Sequence, residues 1–397
     1  MERIIFHIDV NSAFLSWSAV ELLKNGAKID LRMVPAIIGG DRETRHGVVL
    51  AKSVLAKQYG IRTGEAVVNA LRKYPDLQME KPNHELYHRC SERLMEHLQT
   101  YTSDIEQVSV DECFLDFTGI AHLYDSPVAA AKQIQVDIYE KFGFTVNIGI
   151  SENKLLAKMA SDFKKPNKVH TLFKEEIQKK MWPLPVGKLY MAGKSSVEAL
   201  RKLEILTIGD LANASLDILT LHLKSHGKTL WNFANGIGES ILNNRVVENR
   251  GIGNSTTLAE DATSLEEGKE VLLWLAEKVA NRLRMERQKA NMISVEVRYF
   301  DFQNVSHQKR FLRATQTAKT IYHVACELFE EIWDTRPVRL LGIRTAKLVD
   351  EEEPQQMTLL DFAVEQRSDE RHEKLEKAMD EIKERYGKNA VTKGTLL

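Results

Sequence analysis

Asp9 closes a run of apolar residues, IIFHIDV at 4–10, and Asp111-Glu112 stand together after a second apolar stretch that includes IEQVSV. A charged group at the end of a buried strand is costly unless something pairs with it. Three carboxylates brought together from adjacent strands would repel one another, and a divalent cation is the simplest partner that resolves this. Hard oxygen donors suit Mg2+ or Mn2+, and two such ions about 4 Å apart stabilise both the attacking and the leaving oxygens of a phosphoryl transfer. The cations that a triphosphate needs are also near: Lys52 and Lys57 follow an apolar strand, and Lys158, Lys164 and Lys165 flank the end of a helix before Pro166. The alternative is that Asp9 caps the next helix, Asp111-Glu112 make a polar turn and the lysines are solvated surface charges. Spacing alone leaves both readings open.

The elements that must position these residues can be read from periodicity. Residues 4–10 predict a buried strand, and 12–24 a helix with Ser12 at its N-cap and Asn25-Gly26 at its end. VPAIIGG at 34–40 predicts a second strand, and 47–60 a strand running into a short helix that stops at Gly60. An amphipathic helix over 84–101 precedes a hairpin, Ile105 to Val108 and Cys113 to Phe117, with Ser109 to Glu112 at or near the bend. A helix at 127–142, a strand at 144–150 and a helix at 152–163 complete the order β-α…β-β-α-β, which belongs to a ferredoxin-like sheet with an insertion after its first helix.

Residues 172–243 read as a small helical domain and 244–252 as a polar linker. The pattern β-α-β-β-α-β then returns over 253–349, a second ferredoxin-like half-sandwich. In ISVEVRYF, Ile293, Val295, Val297 and Tyr299 share one face and Ser294, Glu296 and Arg298 the other. With Arg313, Arg339 and Arg344 on neighbouring strands, this makes either a basic open face or a scatter of surface arginines. Residues 367–386 are charged and helical in pattern.

Composition bounds the function. A chain of 397 residues predicts two to four domains, and 43% apolar with 28% charged residues excludes collagen-like, low-complexity and wholly disordered classes. Three scattered cysteines, Cys90, Cys113 and Cys326, cannot build a disulfide framework and predict a reducing compartment. Charges interrupt the first apolar run, so no signal peptide is expected, and no run approaches the roughly 18 to 20 apolar residues of a membrane span. A cytoplasmic protein follows. The net charge of −1 argues against nucleic-acid binding by bulk electrostatics, yet residues 1–243, 244–349 and 350–397 carry +1, +3 and −5. An acidic tail masks a mildly basic body.

Five segments together resemble one family: IDVNSAFLSW at 8–17, GVVLAKSVLAKQYGIRTGE at 47–65, YTSDIEQVSVDECFLDFTG at 101–119, VNIGISENKLLAKMASDFKKPN at 146–167, and IGNSTTLAED with VRLLGIRTAKL in the last domain. The family is that of the Y-family translesion DNA polymerases, and within it the bacterial DinB-type polymerase IV. The resemblance implies an α+β, multidomain right-hand polymerase: a ferredoxin-like palm at 1–25 and 78–171, small fingers at 26–77, a helical thumb at 172–243 and, after the linker, a little-finger domain at 253–349 that binds DNA. An acidic tail with a clamp-binding peptide fills 350–397.

By position, Asp9, Asp111 and Glu112 match the metal-binding carboxylates, and the Val10 carbonyl a further ligand of two Mg2+ ions, with Mn2+ able to substitute. Phe14 matches the steric gate that crowds a 2′-hydroxyl, and Lys165 the lysine on the β- and γ-phosphates of a deoxynucleoside triphosphate. The fingers depart from the DinB pattern: Ala51 and Val54 stand where Thr and Tyr are usual, Lys57 keeps the cation of an Arg, and Lys52 is free to supply a phosphate contact, a UmuC-like feature. In the thumb, Met191 occupies a glycine position of the duplex-gripping hairpin.

Gln356, Met357, Leu359 and Leu360 resemble the peptide by which bacterial polymerases bind the sliding clamp. The reading is therefore a monomeric, low-fidelity, template-directed polymerase whose partners are primer-template DNA and the clamp, with no membrane. A nucleotide cyclase shares the chemistry but needs neither the last domain nor the clamp-like peptide. A catalytically silent, clamp-tethered scaffold is the alternative from another class.

Overall fold

The computed structural model describes residues 3–40, 47–243, 250–353, 366–387 and 390–391. The clamp-like residues Gln356, Met357, Leu359 and Leu360, and linker residues 244–249, lie outside the described residues. The chain divides into two compact units, 1–42 with 47–245, and 246 onward. Among the described residues no helix is long and apolar enough to cross a membrane.

In the first unit, β1 (Ile5–Val10) is buried at every position. Such a strand needs cover on both faces: Phe6, Ile8 and Val10 enter one core, while Ile5 packs with Phe114 and Ala157 on the other side. The helix α1 (Ala13–Lys24) starts at Ser12, but not through the expected cap. Ser12 takes a left-handed conformation and makes no side-chain cap bond; its carbonyl instead accepts the Ser16 amide at 2.9 Å.

An excursion then forms β2 (Ala36–Gly39), β3 (Val49–Lys52), α2 (Val54–Gln58), α3 (Val67–Lys73) and β4 (Gln78–Glu80), with sheet order β3-β2-β4 and a small core of its own. Because β4 pairs with β2, residues 78–80 join this small sheet rather than the sheet that contains β1.

The chain returns through α4 (His84–Leu98), β5 (Ile105–Gln107), β6 (Glu112–Asp116), α5 (Pro127–Phe142), β7 (Val146–Ser151), α6 (Lys154–Ser161) and β8 (Val169–Thr171), giving sheet order β5-β6-β1-β7-β8. Local signals set α5: the Ser126 side chain accepts the Ala129 amide, Pro127 opens the first turn and Gly143 closes the helix at positive φ. One glycine decides how close α6 sits. A Cβ on Gly149 would lie 1.9 Å from the Ala157 carbonyl oxygen and 2.5 Å from the Ser161 nitrogen, so only glycine admits the helix at this depth.

Five helices follow, α7 (Ile177–Lys180), α8 (Lys194–Lys202), α9 (Ile208–Ala212), α10 (Leu216–Leu223) and α11 (Ser225–Ala234), around a core shared with Leu156 and Met159 of α6. The chain beyond them is tied back to the sheet edge. Lys154 Nζ pairs with Glu106 and Glu239 at 3.1 Å each, and the Asn243 amide donates to Glu106 at 2.7 Å.

The second unit contains β9 (Gly253–Ala262), α12 (Leu265–Met285), β10 (Gln288–Tyr299), β11 (Asn304–Thr315), α13 (Ala318–Ile332), β12 (Val338–Asp350) and α14 (Gln366–Tyr386). The element order is as expected, but its sheet runs β11-β10-β12-β9. The inner strands here, β10 and β12, are the second and fourth of the β-α-β-β-α-β order, whereas in the corresponding four strands of the first sheet, β7-β1-β6-β5, the inner two, β1 and β6, are the first and third. The reading of 253–349 as a second ferredoxin-like sheet is corrected accordingly, because the connection order is legible in sequence and the choice of neighbouring strand is not.

The chain beyond 350 is not all tail. α14 docks through polar side chains: Arg284 donates to Glu376 at 2.5 Å and to Asp380 at 2.6 Å, and the buried Glu376 carboxylate also accepts the first amide of α13, Ala318, at 3.0 Å. An anion at that helix start meets the positive end of the helix dipole.

Candidate active site

Three central strands bring one row of polar side chains together. Asp9 on β1 is the cross-strand partner of Glu112 on β6 and of Asn147 on β7, so all three share the face covered by α6. Asp111 lies just before β6, where its carbonyl accepts the Val10 amide at 3.0 Å and its Oδ1 accepts the Ser109 hydroxyl at 2.7 Å. A cleft of about 410 Å³ is lined by Asp9, Val10, Asp111, Phe14, Lys52, Lys57 and Lys165. Seven residues singled out in the sequence thus meet in one place.

Glu112 is the exception. Its Oε2 accepts Lys158 Nζ at 2.6 Å and it does not line the cleft. Among the described residues no three acidic, His or Cys side chains converge as a ready ligand set. Two lysines stand against two of the three carboxylates in separate ion pairs, Glu112 with Lys158 and Asp9 with Lys165 at 2.7 Å. His7 lies beneath, with Nδ1 on the Ser161 hydroxyl at 2.8 Å and Nε2 at 3.7 Å from Glu112, too far for a hydrogen bond.

The electrostatics follow from this division. Burial pushes Asp9 up to about 6 against the pull of Lys165, and the nearby Glu112 and Asp111 charges push the same way. The His7 imidazole and the Lys158 ammonium hold Glu112 well below the ordinary carboxylate range, and burial keeps His7 itself below the ordinary imidazole value. Burial pulls the Lys165 ammonium down, but Asp9 and Asp162 outweigh it and hold it above the ordinary lysine value. A buried carboxylate raised despite a lysine partner has too little positive charge around it. Asp9, Asp111 and the Val10 carbonyl therefore fit a hard divalent cation.

Phe14, on the first turn of α1, stacks on Tyr87 with ring centres 4.2 Å apart and planes 6° apart. That stack fixes an aromatic wall in the cleft. On the small sheet, Lys52 Nζ donates to Thr63 at 2.9 Å, and burial, then the Lys57 charge, lowers its pKa. Val54 is exposed and leaves this side of the cleft open, while Met191 is exposed at positive φ shortly before Gly193 and α8.

The arginines expected on the last sheet divide. Arg298 and Arg344 lie on its open face, Arg298 donating to Asn304 at 2.8 Å. Arg339 sits at a bulge and covers the Phe302 ring at 4.7 Å, and Arg313 lies in the irregular stretch between the pairs Met292 with Arg310 and Ala290 with Thr315. Glu296 stands between Ser294 and Arg298 on the open face, so that face is not uniformly basic. Sequence reasoning passed over Asn11, Asn147 and His7, and noted Lys158 without its partner. The apolar context of Asn147 in FTVNIGI was the available signal, since a buried amide demands partners.

Comparisons with known proteins follow this geometry. Residues 8–162 match the model of the impB/mucB/samB family, and 249–359 match that of its C-terminal domain. The DNA polymerase IV of Clostridium acetobutylicum is 45% identical over 100% of this chain and 99% of its own length. That of Acetivibrio thermocellus is 34% identical over 100% of this chain and 98% of its own, and DNA polymerase IV 1 of Bacillus subtilis is 34% identical over 100% and 93%. A solved Y-family DNA polymerase chimera of Dbh and Dpo4 has a similar fold, with a TM-score of 0.75 at 22% identity, covering 87% of this chain and 99% of that one. Dependence on a divalent cation goes with this family in general. Matched by both family models and by curated relatives along its full length, the chain belongs to the impB/mucB/samB family, in its DNA polymerase IV line.

Proposed function

We propose that the chain synthesises DNA across damaged template by two-metal-ion nucleotidyl transfer, as a template-directed polymerase of low fidelity. It is a DNA-directed DNA polymerase of the translesion kind, and primer-template DNA is its macromolecular partner. The observation that carries the site assignment is the meeting of Asp9, Asp111, Phe14 and Lys165 in one cleft.

Asp9, Asp111 and the Val10 carbonyl would hold two Mg2+ ions together with Glu112, which would exchange Lys158 for metal, with Mn2+ able to substitute. Held there, such ions would supply positive charge to the attacking and leaving oxygens in the attack of the primer 3′-hydroxyl on the α-phosphate, from which pyrophosphate departs. Lys165 and Lys57 meet the β- and γ-phosphates, and Lys52 supplies the contact that Ala51 and Val54 cannot. Phe14, braced by Tyr87, leaves no room for a 2′-hydroxyl.

In this reading β1 and its neighbours form the palm, the small three-stranded sheet the fingers, 172–243 the thumb, and the second unit the little finger, with Arg298, Arg313, Arg339 and Arg344 toward the DNA backbone. Gln356, Met357, Leu359 and Leu360 bind the sliding clamp, which tethers a monomer of weak intrinsic DNA affinity.

Primer extension with Mg2+ and four deoxynucleotides, on intact template and on template with one abasic or minor-groove-adducted base, tests the proposal beside Asp111→Ala. Extension past the lesion that falls by more than about a thousandfold in the variant is expected. No extension on either template, with DNA and clamp binding intact, would favour the scaffold reading.

A further inference from the structure

Asn147, beside Asp9 in the sheet row, is wholly buried and uses every hydrogen-bonding position of its amide. Its Nδ2 donates to the Ser161 carbonyl at 2.9 Å and the Lys164 carbonyl at 2.8 Å. Its Oδ1 accepts the Lys168 amide at 3.2 Å and Asn11 Nδ2 at 3.1 Å. Asn11, two residues after Asp9, accepts the Asn167 amide at 2.8 Å and the Thr145 hydroxyl at 2.9 Å on its own Oδ1. Four backbone groups of the turn 161–168 are held in this way, two before Lys165 and two after it. The holding side chains grow from β7 and from the end of β1, the strand that carries Asp9.

A lysine has four rotatable side-chain bonds, so its ammonium can be placed no better than the backbone that bears it. A surface turn is ordinarily the mobile part of a fold. Here the turn is riveted to the sheet row that holds the carboxylates, and a buried amide pair with all partners satisfied is rigid.

We propose that Asn11 and Asn147 are positioning residues for Lys165: they fix its distance from the Asp9 carboxylate and hence the point at which the β- and γ-phosphates of an incoming nucleotide are met. The inference rests on the triphosphate reading of Lys165 given above. Asn147 is buried and cannot touch nucleotide, which separates positioning from contact. Serine at 147 keeps a small polar group but is too short to reach four partners, so the turn loosens while the sheet remains.

Single-nucleotide incorporation by Asn147→Ser, Lys165→Ala and the double variant tests this, with hydrogen exchange at Asn167 and Lys168 as a second readout. In Asn147→Ser the KM for nucleotide rises about tenfold with kcat within about twofold, and both amides exchange at least about tenfold faster. In the Lys165→Ala background the same change leaves KM where Lys165→Ala put it, because the residue being positioned is gone. Equal, multiplying effects in both backgrounds, or unchanged exchange, would overturn the positioning role and leave the triphosphate reading standing. An unchanged KM in Lys165→Ala alone would remove that reading, and the proposal with it. Should Asn147→Ser fail to fold, Asn11→Ser carries the same comparison, since it leaves both carbonyl bonds of Asn147 in place.

Discussion

Two sheets in this chain arise from the same order of elements and do opposite things with charge. In the first, β1 is central and buried on both faces, and its last residue but one, Asp9, stands between Glu112 and Asn147. In the second, β10 is central but alternates, with Val295 and Val297 in the core and Ser294, Glu296 and Arg298 on the face away from α12 and α13 among the described residues. Charge on the doubly covered strand is desolvated, so it must find a lysine or a metal ion, and chemistry becomes available there. Charge on the open face stays hydrated and can serve only as a contact surface. The difference lies in what packs above the strand rather than in the residue types.

The largest test of that contrast uses glycines in the two sheets. Gly149→Ala places a Cβ 1.9 Å from a helix carbonyl and has nowhere to go, so it should destabilise the first unit by several kcal/mol, about 3 or more, and lower activity with it. Gly342→Ala on the open sheet meets the Ser255 Cβ at 2.9 Å, and otherwise only the Asn254 carbonyl oxygen and the Glu296 Cβ at ordinary contact distances of 3.6 and 3.7 Å, and should cost less, roughly 1 to 2 kcal/mol. Comparable losses in urea melts would show that the two sheets are covered alike.

A second test reads the desolvated charge. The folded pKa of Asp9, about 6, is raised above the ordinary value, so the fold binds that proton more tightly than the unfolded chain does. The stability it lends is present at low pH and lost as pH rises through 6. In metal-free protein, Asp9→Asn should therefore melt higher than wild type above pH 7, by about 1 kcal/mol, with the gain gone near pH 4. Added divalent cation should stabilise the wild type alone. A gain that persists unchanged at pH 4 would mean that Asp9 is not penalised by burial.

The smallest effect belongs to the open face. Arg344→Ala should weaken primer-template binding about two- to fivefold, evenly across sequences, and reduce the salt slope by about 1. An unchanged slope would remove this face from the DNA contact.

Much of the first sheet was legible because its signals are local. The apolar run at 4–10 announced a buried strand, Ser126-Pro127 and Gly143 bounded α5, and the segment 105–117 formed its hairpin. Asp9, Asp111, Phe14, Lys52, Lys57 and Lys165 line one cleft. Glu112 does not, because nothing local records that Lys158, 46 residues on, would reach it first. The Asn11–Asn147 link spans 136 residues, and α14 docks through Glu376 onto Arg284, 92 residues away. Such pairings depend on which strands become neighbours.

The sequence by itself determined where most strands and helices begin, that the first strand would be buried, and which residue types could do phosphoryl chemistry, since periodicity, capping and side-chain chemistry act over a few residues. Tertiary structure alone decided that β1 and β6 are neighbours in one sheet while β10 and β12 are in the other, that two lysines stand against two of three carboxylates, and that a buried asparagine holds the turn bearing Lys165. Those outcomes rest on long-range register and on the depth at which α6 sits above Gly149, and both are settled only when distant segments pack together.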